Sequence, residues 1–294
     1  MDMQMISINS DVLIPIEQHF RVAAGPGAGK TYWIVEHIKN VLHNLKRLEK
    51  TRKIACITYT NIAVETILGR LGTTSDQVEV STIHSFLYKH IVKPYASFLV
   101  ADYGLNVENM DGHDDIILSN YSFLHEWKVK TKQQRITEDN LLVKAFKAAK
   151  WKFNNSGDLV TNTDYPHKIG AYHIKTDSYL EYKKMTWEKG VIHHDDVLFF
   201  SYQLIKKHPF ILTVLQAKFP YFFVDEYQDT NPIQVEILKL IGGKETIVGI
   251  IGDEAQSIYE FQGADPKQFR SFVLPEYFGV AEQMFRCAVS TCHA

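Results

Sequence analysis

The stretch AGPGAGKT, residues 24–31, decides the fold of this chain. The apolar run from Phe20 to Ala24 suits a buried strand, the glycines form a turn, and the chain from Thr31 onward has a helical pattern. Apolar residues recur every three or four positions from Ile34 to Leu48, so one face of that helix packs on a core. A strand, a glycine-rich loop and a helix in this order are typical of a phosphate-binding loop in an α/β protein.

The residues of this loop suit a triphosphate and its metal. Lys30 would place a positive charge at the β- and γ-phosphates, and the Thr31 hydroxyl would hold Mg²⁺. The backbone would approach the phosphates at residues with little or no side chain, which are Gly25, Gly27, Ala28 and Gly29.

The loop departs from the usual pattern at Ala24, where a first glycine is expected. One added methyl group is a mild change, so we expect the site to survive it. The alternative is a glycine-rich turn followed by a chance Lys-Thr pair. The strand before the loop and the amphipathic helix after it favour the phosphate site.

A second segment, VDEYQDTN (224–231), supplies carboxylates for the same chemistry. The apolar run from Tyr221 to Val224 is typical of a central parallel strand covered on both faces. It delivers Asp225 and Glu226 to the strand's carboxyl end, where ligands bind in α/β sheets. Asp225 is the predicted metal ligand and Glu226 the base that polarises the attacking water. A surface acidic cluster is the alternative for an isolated Asp-Glu pair.

A third segment, GDEAQSIYEFQGA (252–264), follows another apolar strand over residues 247–251. Gln256 could sense the γ-phosphate or the hydrolytic water from the same sheet edge. Tyr259 and Phe261 come directly after it, and aromatic side chains can stack on the bases of a nucleic-acid strand. Taken singly, such aromatics are more often core residues.

Seven segments, in this order, resemble the UvrD/Rep-like family of superfamily 1 DNA helicases. Besides the three above, they are CITYTNIAVETILGRL from Cys56, STIHSF from Ser81, IHHDDVL from Ile192 and QMFRC ending at Cys287. The resemblance implies a RecA-like parallel sheet flanked by helices, with an inserted, mostly α-helical subdomain. The expected boundaries are 1–92 and 190–294 for the RecA-like domain and 93–189 for the insertion.

The resemblance also implies roles for individual residues. Lys30 and Thr31 would bind ATP and Mg²⁺, Asp225 and Glu226 would coordinate the metal and activate water, and Gln256 would couple the nucleotide state to strand binding.

Further roles concern the DNA and the edges of the nucleotide. Thr60, Asn61 and His84 would lie along the path of single-stranded DNA. Thr60 or Asn61 could equally serve as the N-cap of the helix that follows, and both readings can hold. By the same resemblance, Arg286 would reach the γ-phosphate and Phe285 would pack near the adenine.

Three departures from the family pattern bear on function. The glutamine that reads adenine in the family has no well-placed counterpart, since upstream of the loop the chain offers Gln4 and Gln18. Gln262 stands where an arginine that grips phosphate is common. The second RecA-like domain, with its arginine that completes the ATP site, would follow residue 287. We therefore expect this chain alone to bind ATP but to hydrolyse it weakly or not at all.

Three functional hypotheses follow. The first is the ATP-binding half of a DNA helicase or translocase that moves 3′ to 5′ on single-stranded DNA or at a single/double-strand junction, with a second RecA-like domain or a partner in trans. The second is a nucleic-acid-stimulated ATPase switch in a larger DNA-processing or phage-defence complex. The third is a non-catalytic ATP- or DNA-binding module.

Composition sets the class of protein. The 294 residues are 45% hydrophobic with a formal net charge of −2, so any surface for nucleic acid must be local. Cys56, Cys287 and Cys292 lack metal-ligand spacing and are expected to be reduced thiols. The sequence has no signal-peptide pattern and no apolar run long enough to span a membrane, so a cytoplasmic location is expected.

Two clusters leave alternatives open. Lysines between residues 128 and 152 could bind DNA phosphates or form a solvated helix face, with Lys144, Lys147 and Trp151 predicted on one helical stripe. The family resemblance favours the hypothesis that these lysines bind DNA phosphates. The histidines and aspartates of residues 193–196 could suggest a metal, but adjacent side chains on a helix point apart, which favours a structural role.

Overall fold

The computed structural model describes most of the chain. For Met5, and for residues 282–288 other than Phe285, it describes the backbone alone. The described residues are 5–44, 47–49, 51–113, 116–161, 168–169, 171–242, 245–253, 272 and 282–288.

The chain divides into two compact units. Unit 1 comprises Met1–Phe86 and Pro209–Ala294, and unit 2 comprises Leu87–His208. Unit 1 is discontinuous, and the expected division into a RecA-like domain and an insertion stays a prediction. The helix that carries the histidine-aspartate cluster belongs to unit 2, whereas the expected boundary at 189/190 had assigned it to the sheet domain.

The strands in the described part of the chain lie mostly in unit 1. They are β1 (Met5–Asn9), β2 (His19–Ala24), β3 (Ile54–Thr58), β4 (Val78–Thr82), β5 (Trp151–Phe153), β6 (Leu159–Thr161), β7 (Lys168–Ile169), β8 (Tyr172–His173), β9 (Tyr221–Val224), β10 (Ile247–Gly252) and β11 (Glu282–Ala288).

Helices flank the strands and dominate unit 2. They are α1 (Lys30–Asn44), α2 (Asn61–Leu71), α3 (Ile83–Leu87), α4 (Lys93–Tyr95), α5 (Ser97–Tyr103), α6 (Tyr121–Lys130), α7 (Asp139–Ala148), α8 (Thr176–Glu188), α9 (His194–Lys207), α10 (Phe210–Lys218) and α11 (Pro232–Ile241). A π-helix spans Tyr88–Val92, and 3₁₀-helices span Gly72–Gln77 and Tyr227–Asp229. No described helix has the length and apolar character needed to cross a membrane.

Unit 1 is built on a parallel sheet with strand order β1-β11-β2-β10-β9-β3-β4. Each neighbouring pair in this order is parallel, and the register places Gly249 of β10 beside Phe20 of β2. A Cβ atom on Gly249 would lie 2.0 Å from the Phe20 ring, so this close approach requires glycine. The predicted α/β fold with a parallel sheet and flanking helices is confirmed.

Burial on both faces explains the continuous apolar runs of the central strands. Successive residues of a strand point to opposite faces. On β9, the Phe223 ring lies 5.4 Å from that of Phe20, on the face covered by α1, whereas the Phe222 ring meets Phe86 at 5.1 Å. All residues of β9 and β10 are buried. The predicted central strand ahead of Asp225 is therefore confirmed.

Unit 2 has its own core and one buried ionic network. Large apolar residues from α6, α7 and α8 form the core, among them Trp127, Phe146 and Tyr182. Elsewhere in the unit, the Asp196 carboxylate is fully buried and lies 2.8 Å from Lys183 Nζ, whose side chain is 3% exposed.

Further hydrogen bonds complete this network. Asp196 accepts from the indole N–H groups of Trp151 at 2.9 Å and Trp187 at 3.1 Å. His193 caps α9, with one ring nitrogen 3.1 Å from Asp196 and the other 3.0 Å from the Ile116 carbonyl oxygen. Although burial opposes it, the charges of Lys183 and His193 hold the pKa of Asp196 well below its usual value.

These contacts agree with the prediction that residues 193–196 have a structural role. Among the described residues, no group of three or more His, Cys, Asp or Glu side chains is arranged to hold a metal ion. Burial raises the pKa of the neighbouring Asp195, which accepts a hydrogen bond from the Trp151 backbone N–H.

The predicted helical stripe of Lys144, Lys147 and Trp151 is wrong in its last member. Helix α7 ends at Ala148 because Ala149 adopts an extended conformation, and Trp151 begins β5. Trp151 is 5% exposed, and its ring stacks on Phe199 with 3.8 Å between centroids. Its indole is held by Asp196, so it has no free face for a base, whereas Lys144 and Lys147 are exposed on α7.

We predict that Asp196→Asn destabilises unit 2 severely. The substitution removes the direct anionic partner of the buried Lys183 charge, which costs about 3–5 kcal/mol of unfolding free energy. Urea unfolding followed by tryptophan fluorescence measures the loss. As a control, Asp102→Asn removes the partner of exposed Lys207 and should cost about 1 kcal/mol or less. Equal losses in the two variants would contradict the prediction.

We also predict an acid-dependent loss of stability from His37. This side chain is fully buried on α1, its ring stacks on Trp33, and neither ring nitrogen has a hydrogen-bond partner among the described residues. Burial lowers its pKa from 6.5 to about 3. Between those pH values the unfolded chain binds a proton that the folded chain does not, so the unfolding free energy falls as the pH falls.

His37→Leu should remove this part of the pH dependence. Urea unfolding at pH 7.5 and pH 4.5 compares the variant with the parent chain. His43→Leu, at the exposed end of the same helix, should keep the parent's pH dependence. If His37→Leu loses as much stability on acidification as the parent does, then His37 is not the source.

Candidate functional site

The candidate site lies at the edge of the sheet where the strands of unit 1 end. Because the strands are parallel, the residues that follow β2, β10, β9, β3 and β4 all meet at this carboxyl edge. Five of the segments singled out in the sequence reach this edge, one at the end of each of these strands. Proximity between them follows from the sheet alone.

The loop after β2 has the geometry of an anion cradle. Gly27 and Gly29 have φ angles of 69° and 76°, in the left-handed region that favours glycine. The Ala28 N–H donates to the Gly25 carbonyl oxygen at 3.2 Å, which closes the turn, and α1 begins at Lys30. The first turn of α1 contains no acidic residue that would repel an anion, and the N-terminal end of a helix attracts anions through its backbone N–H groups and its positive dipole end.

Ala24 does not disturb this loop. It is the last residue of β2, 3% exposed, and its side chain belongs to the hydrophobic core. The methyl group that replaces the usual glycine is therefore accommodated inside the protein.

Lys30 is brought to the carboxylates of the second segment. Its Nζ lies 3.9 Å from Glu226 Oε2, and its side chain is 10% exposed. Thr31, the next residue, is partly exposed at the start of α1. The structure thus brings together Lys30 and Glu226, two residues that are far apart in the sequence.

Asp225 is a buried carboxylate at the end of β9. Its backbone N–H donates to the Ile57 carbonyl oxygen at 2.8 Å, and its Oδ1 accepts from the Glu226 N–H at 3.0 Å. Burial and then the neighbouring Glu226 charge raise the pKa of Asp225 to about 7, although Lys30 opposes the shift. Glu226 itself has a left-handed backbone, with φ 54° and ψ 42°.

Two polar residues of this site escaped the sequence analysis. Asp229 is 8% exposed, and burial followed by the Glu226 charge raises its pKa to about 6. Gln228 donates from Nε2 to Glu226 Oε2 at 2.6 Å. Both lie in the segment VDEYQDTN, which the sequence had already singled out. Their position near Glu226 depends on the 3₁₀-helix over Tyr227–Asp229, which the sequence pattern did not predict.

The carboxylates fit a divalent cation shared with phosphate. The Glu226 charge raises the pKa of both Asp225 and Asp229, and the Lys30 charge opposes both shifts. An added positive charge would therefore stabilise the ionised forms. The described residues do not form an all-protein metal cage, and Mg²⁺ bound with nucleotides uses one or two carboxylates together with phosphate oxygens.

The residues after β3 and β4 flank this centre. Thr60 is the N-cap of α2, since its Oγ1 accepts from the Ala63 N–H at 3.2 Å, and this predicted cap is confirmed. Thr60 and Asn61 are exposed, and His84 is half-buried at the start of α3. Their contact with DNA stays a prediction.

The remaining predicted site residues lie in the last part of the chain. Gln256, Tyr259 and Phe261 fall outside the described residues. The backbone of Arg286 lies in β11, paired with Ala23 of β2. Phe285 is 4% exposed and belongs to the core cluster, which favours packing in the core over contact with an adenine ring.

Several curated proteins are similar to this chain. GajB, a Gabija protein of Bacillus cereus (strain HuB5-5), is 28% identical over 287 residues, covering 81% of this chain and 41% of the relative. ATP-dependent DNA helicase Rep of Buchnera aphidicola subsp. Schizaphis graminum is 28% identical, covering 84% of this chain and 36% of Rep. ATP-dependent DNA helicase PcrA of Staphylococcus aureus (strain Mu50) is 27% identical, covering 90% and 35%.

The chain thus spans less than half the length of each of these relatives. The model of the UvrD/REP helicase N-terminal domain matches residues 7–274, which include the loop, the carboxylates and the insertion. On this match and on the parallel-sheet fold, the chain belongs to the UvrD/REP helicase N-terminal domain family.

Proposed function

We propose that the chain is the ATP-binding motor domain of an ATP-dependent DNA helicase or translocase that tracks along single-stranded DNA from 3′ to 5′. The observation that carries the proposal is the meeting of Lys30, Asp225 and Glu226 at one sheet edge, beside the anion cradle. Family membership adds the helicase class.

The nucleotide would be held mainly by backbone and one lysine. Residues 25–29 would surround the β- and γ-phosphates with N–H groups, and Lys30 would neutralise part of their charge. Arg286 is a further candidate for the γ-phosphate. Lys30 Nζ lies 3.9 Å from Glu226 Oε2. A bound triphosphate would therefore compete with Glu226 for the Lys30 charge.

Mg²⁺ would be held by Thr31 and Asp225. When bound, the ion supplies positive charge to the phosphates and to the buried carboxylate. Asp225 is suited to this task because its burial disfavours the ionised form unless a cation is present. Glu226 would act as the base that polarises the attacking water.

Single-stranded DNA would cross the same edge of the sheet. Thr60 and Asn61 present exposed polar groups at the start of α2, and the adjacent Ile62 is 77% exposed. His84 would lie beside them. Tyr259 and Phe261 remain candidates for stacking on bases, with Gln256 linking the DNA to the nucleotide.

A second RecA-like domain, in the same polypeptide or in a partner, would complete the ATP site. The relatives named as helicases are more than twice as long as the part this chain matches. We therefore expect the chain alone to bind ATP with weak or no turnover, since an arginine from the opposite wall is worth orders of magnitude in rate.

A second candidate function is a DNA-stimulated ATPase switch within a larger complex. It is favoured by the similarity to a relative named as a Gabija protein rather than as a helicase. A strand-separation assay with a fluorescent junction substrate discriminates the two, because a switch would hydrolyse ATP without displacing the strand. The meeting of Lys30, Asp225 and Glu226 at one site argues against the third hypothesis, a non-catalytic module.

We predict that Glu226→Gln and Lys30→Ala abolish DNA-stimulated ATP hydrolysis by different routes. Glu226→Gln should lower kcat by about 100-fold or more with nucleotide binding retained, because it removes the base and leaves the cradle intact. Lys30→Ala should weaken ATP binding as well, because it removes the charge at the phosphates. Hydrolysis with and without single-stranded DNA, and binding of a fluorescent ATP analogue, measure these effects.

The measurements use this chain alone and a longer form, in which this chain is joined to the second RecA-like domain proposed above. Glu36→Gln and Lys39→Ala serve as controls, since these residues pair with each other on α1, away from the loop. If the longer form shows no DNA-stimulated turnover sensitive to Glu226→Gln, the proposed function is wrong.

We further predict that Lys144 and Lys147 contact DNA phosphates. Both are exposed on α7, and no ion pair of theirs occurs among the described residues. The double change to alanine should weaken binding of a junction DNA and flatten its salt dependence by about one unit of logarithmic slope per lost contact. Lys130→Ala is the control, because Lys130 is paired with Glu181 at 2.8 Å. An unchanged slope of the salt dependence would contradict the prediction and indicate that Lys144 and Lys147 face solvent without contacting DNA.

A further inference from the structure

One buried amide connects the proposed base to the end of a neighbouring strand. Gln228 is 4% exposed, in the 3₁₀-helix after β9. Its Nε2 donates to Glu226 Oε2 at 2.6 Å, and its Oε1 accepts from the backbone N–H of Asp253 at 2.9 Å. Asp253 is the first residue after β10, so the two ends of a single side chain join β9 to β10 at the site.

The chemistry of this link requires an amide. The Glu226 carboxylate needs a donor, whereas the Asp253 N–H needs an acceptor, and a carboxamide provides both. A carboxylate at position 228 would still accept from Asp253 but would face Glu226 without a proton to donate. A hydrocarbon side chain would satisfy neither group. Gln228 is therefore matched to both neighbours at once.

Glu226 has a second contact among the described residues, with Lys30, and a bound phosphate would weaken it. Lys30 is 3.9 Å away, and phosphate would draw its charge toward the cradle. The left-handed backbone of Glu226 gives its side chain an unusual starting direction. With Lys30 drawn toward phosphate, the hydrogen bond from Gln228 would still orient the carboxylate, and it is the side-chain contact that remains among the described residues.

We propose that Gln228 is a positioning residue that aligns Glu226 for water activation and ties that alignment to the end of β10. The chain continues from Asp253 into residues 254–264, so a shift at this strand end would reach Glu226 through one side chain. This proposal rests on the proposed role of Glu226 as base. It adds the residue by which the two segments act together.

Two substitutions in the longer form separate the two ends of the link. Gln228→Glu removes the donor to Glu226 and keeps the acceptor for Asp253, whereas Gln228→Met removes both. Each should lower kcat for DNA-stimulated ATP hydrolysis by about 10- to 100-fold, because a hydrogen bond to a charged group is lost. The KM for ATP should change much less, since the cradle is untouched.

Amide hydrogen exchange without nucleotide provides a readout that does not depend on activity. Gln228→Met should speed exchange at the Asp253 N–H by about tenfold or more, because its acceptor is gone. Gln228→Glu should leave that N–H protected.

Gln216→Met is the matched control. Gln216 is also buried in unit 1, and its Nε2 donates to the Ile241 carbonyl oxygen at 2.9 Å. This variant should lose stability while keeping kcat and the Asp253 protection, and thermal melts of all three variants check folding.

Two results would overturn the positioning role. One is a kcat within about twofold of the parent for both Gln228 variants while Glu226→Gln abolishes turnover. The other is unchanged exchange at Asp253 in Gln228→Met, which applies even if that variant is inactive. If Glu226→Gln itself leaves hydrolysis intact, the failure lies in the proposed function instead.

Discussion

The burial of β9 on both faces is the constraint on which the site depends. Because the strand is apolar and covered on both sides, the carboxylate that follows it is held almost out of water, and the pKa of Asp225 rises to about 7 through burial and the adjacent Glu226 charge. One lysine, Lys30, offsets part of this charge. The site is thus prepared for further positive charge, which a metal-bound nucleotide carries.

Unit 2 also contains a buried carboxylate, that of Asp196, but there the pKa is lowered instead of raised. Asp196, in the first turn of α9, is also buried, but Lys183, His193 and the indole N–H groups of Trp151 and Trp187 pair with it inside unit 2. A buried carboxylate paired directly with a cation holds structure together, whereas Asp225, whose pKa is raised by burial and by Glu226, is suited to bind a further cation. Both residues occur in Asp-rich motifs, so the difference lies in their partners.

Local sequence patterns predicted those parts of the fold that depend on local forces. The order of strand, loop and helix around Lys30 follows from apolar periodicity and from glycines that accept positive φ angles, and the Thr60 cap follows from side-chain chemistry at a helix start. Local patterns failed where a contact with a residue far away in the sequence determines the local structure. Trp151 was predicted on a helix with Lys144 and Lys147, but its indole pairs with Asp196 and its ring stacks on Phe199, and these contacts are worth more than one further helical turn.

By itself, the sequence determined the class of the fold, the phosphate loop and the pair Asp225 and Glu226, because each is encoded within a few consecutive residues. Tertiary structure alone decided which side chains act on that pair. Gln228 and Asp229 turn back toward Glu226 because a 3₁₀-helix follows β9, and Gln228 finds its second partner on β10 through sheet order. Phe285, expected beside adenine, packs in the core because β11 inserts between β1 and β2. Such contacts join residues far apart in the chain, and no local pattern records them.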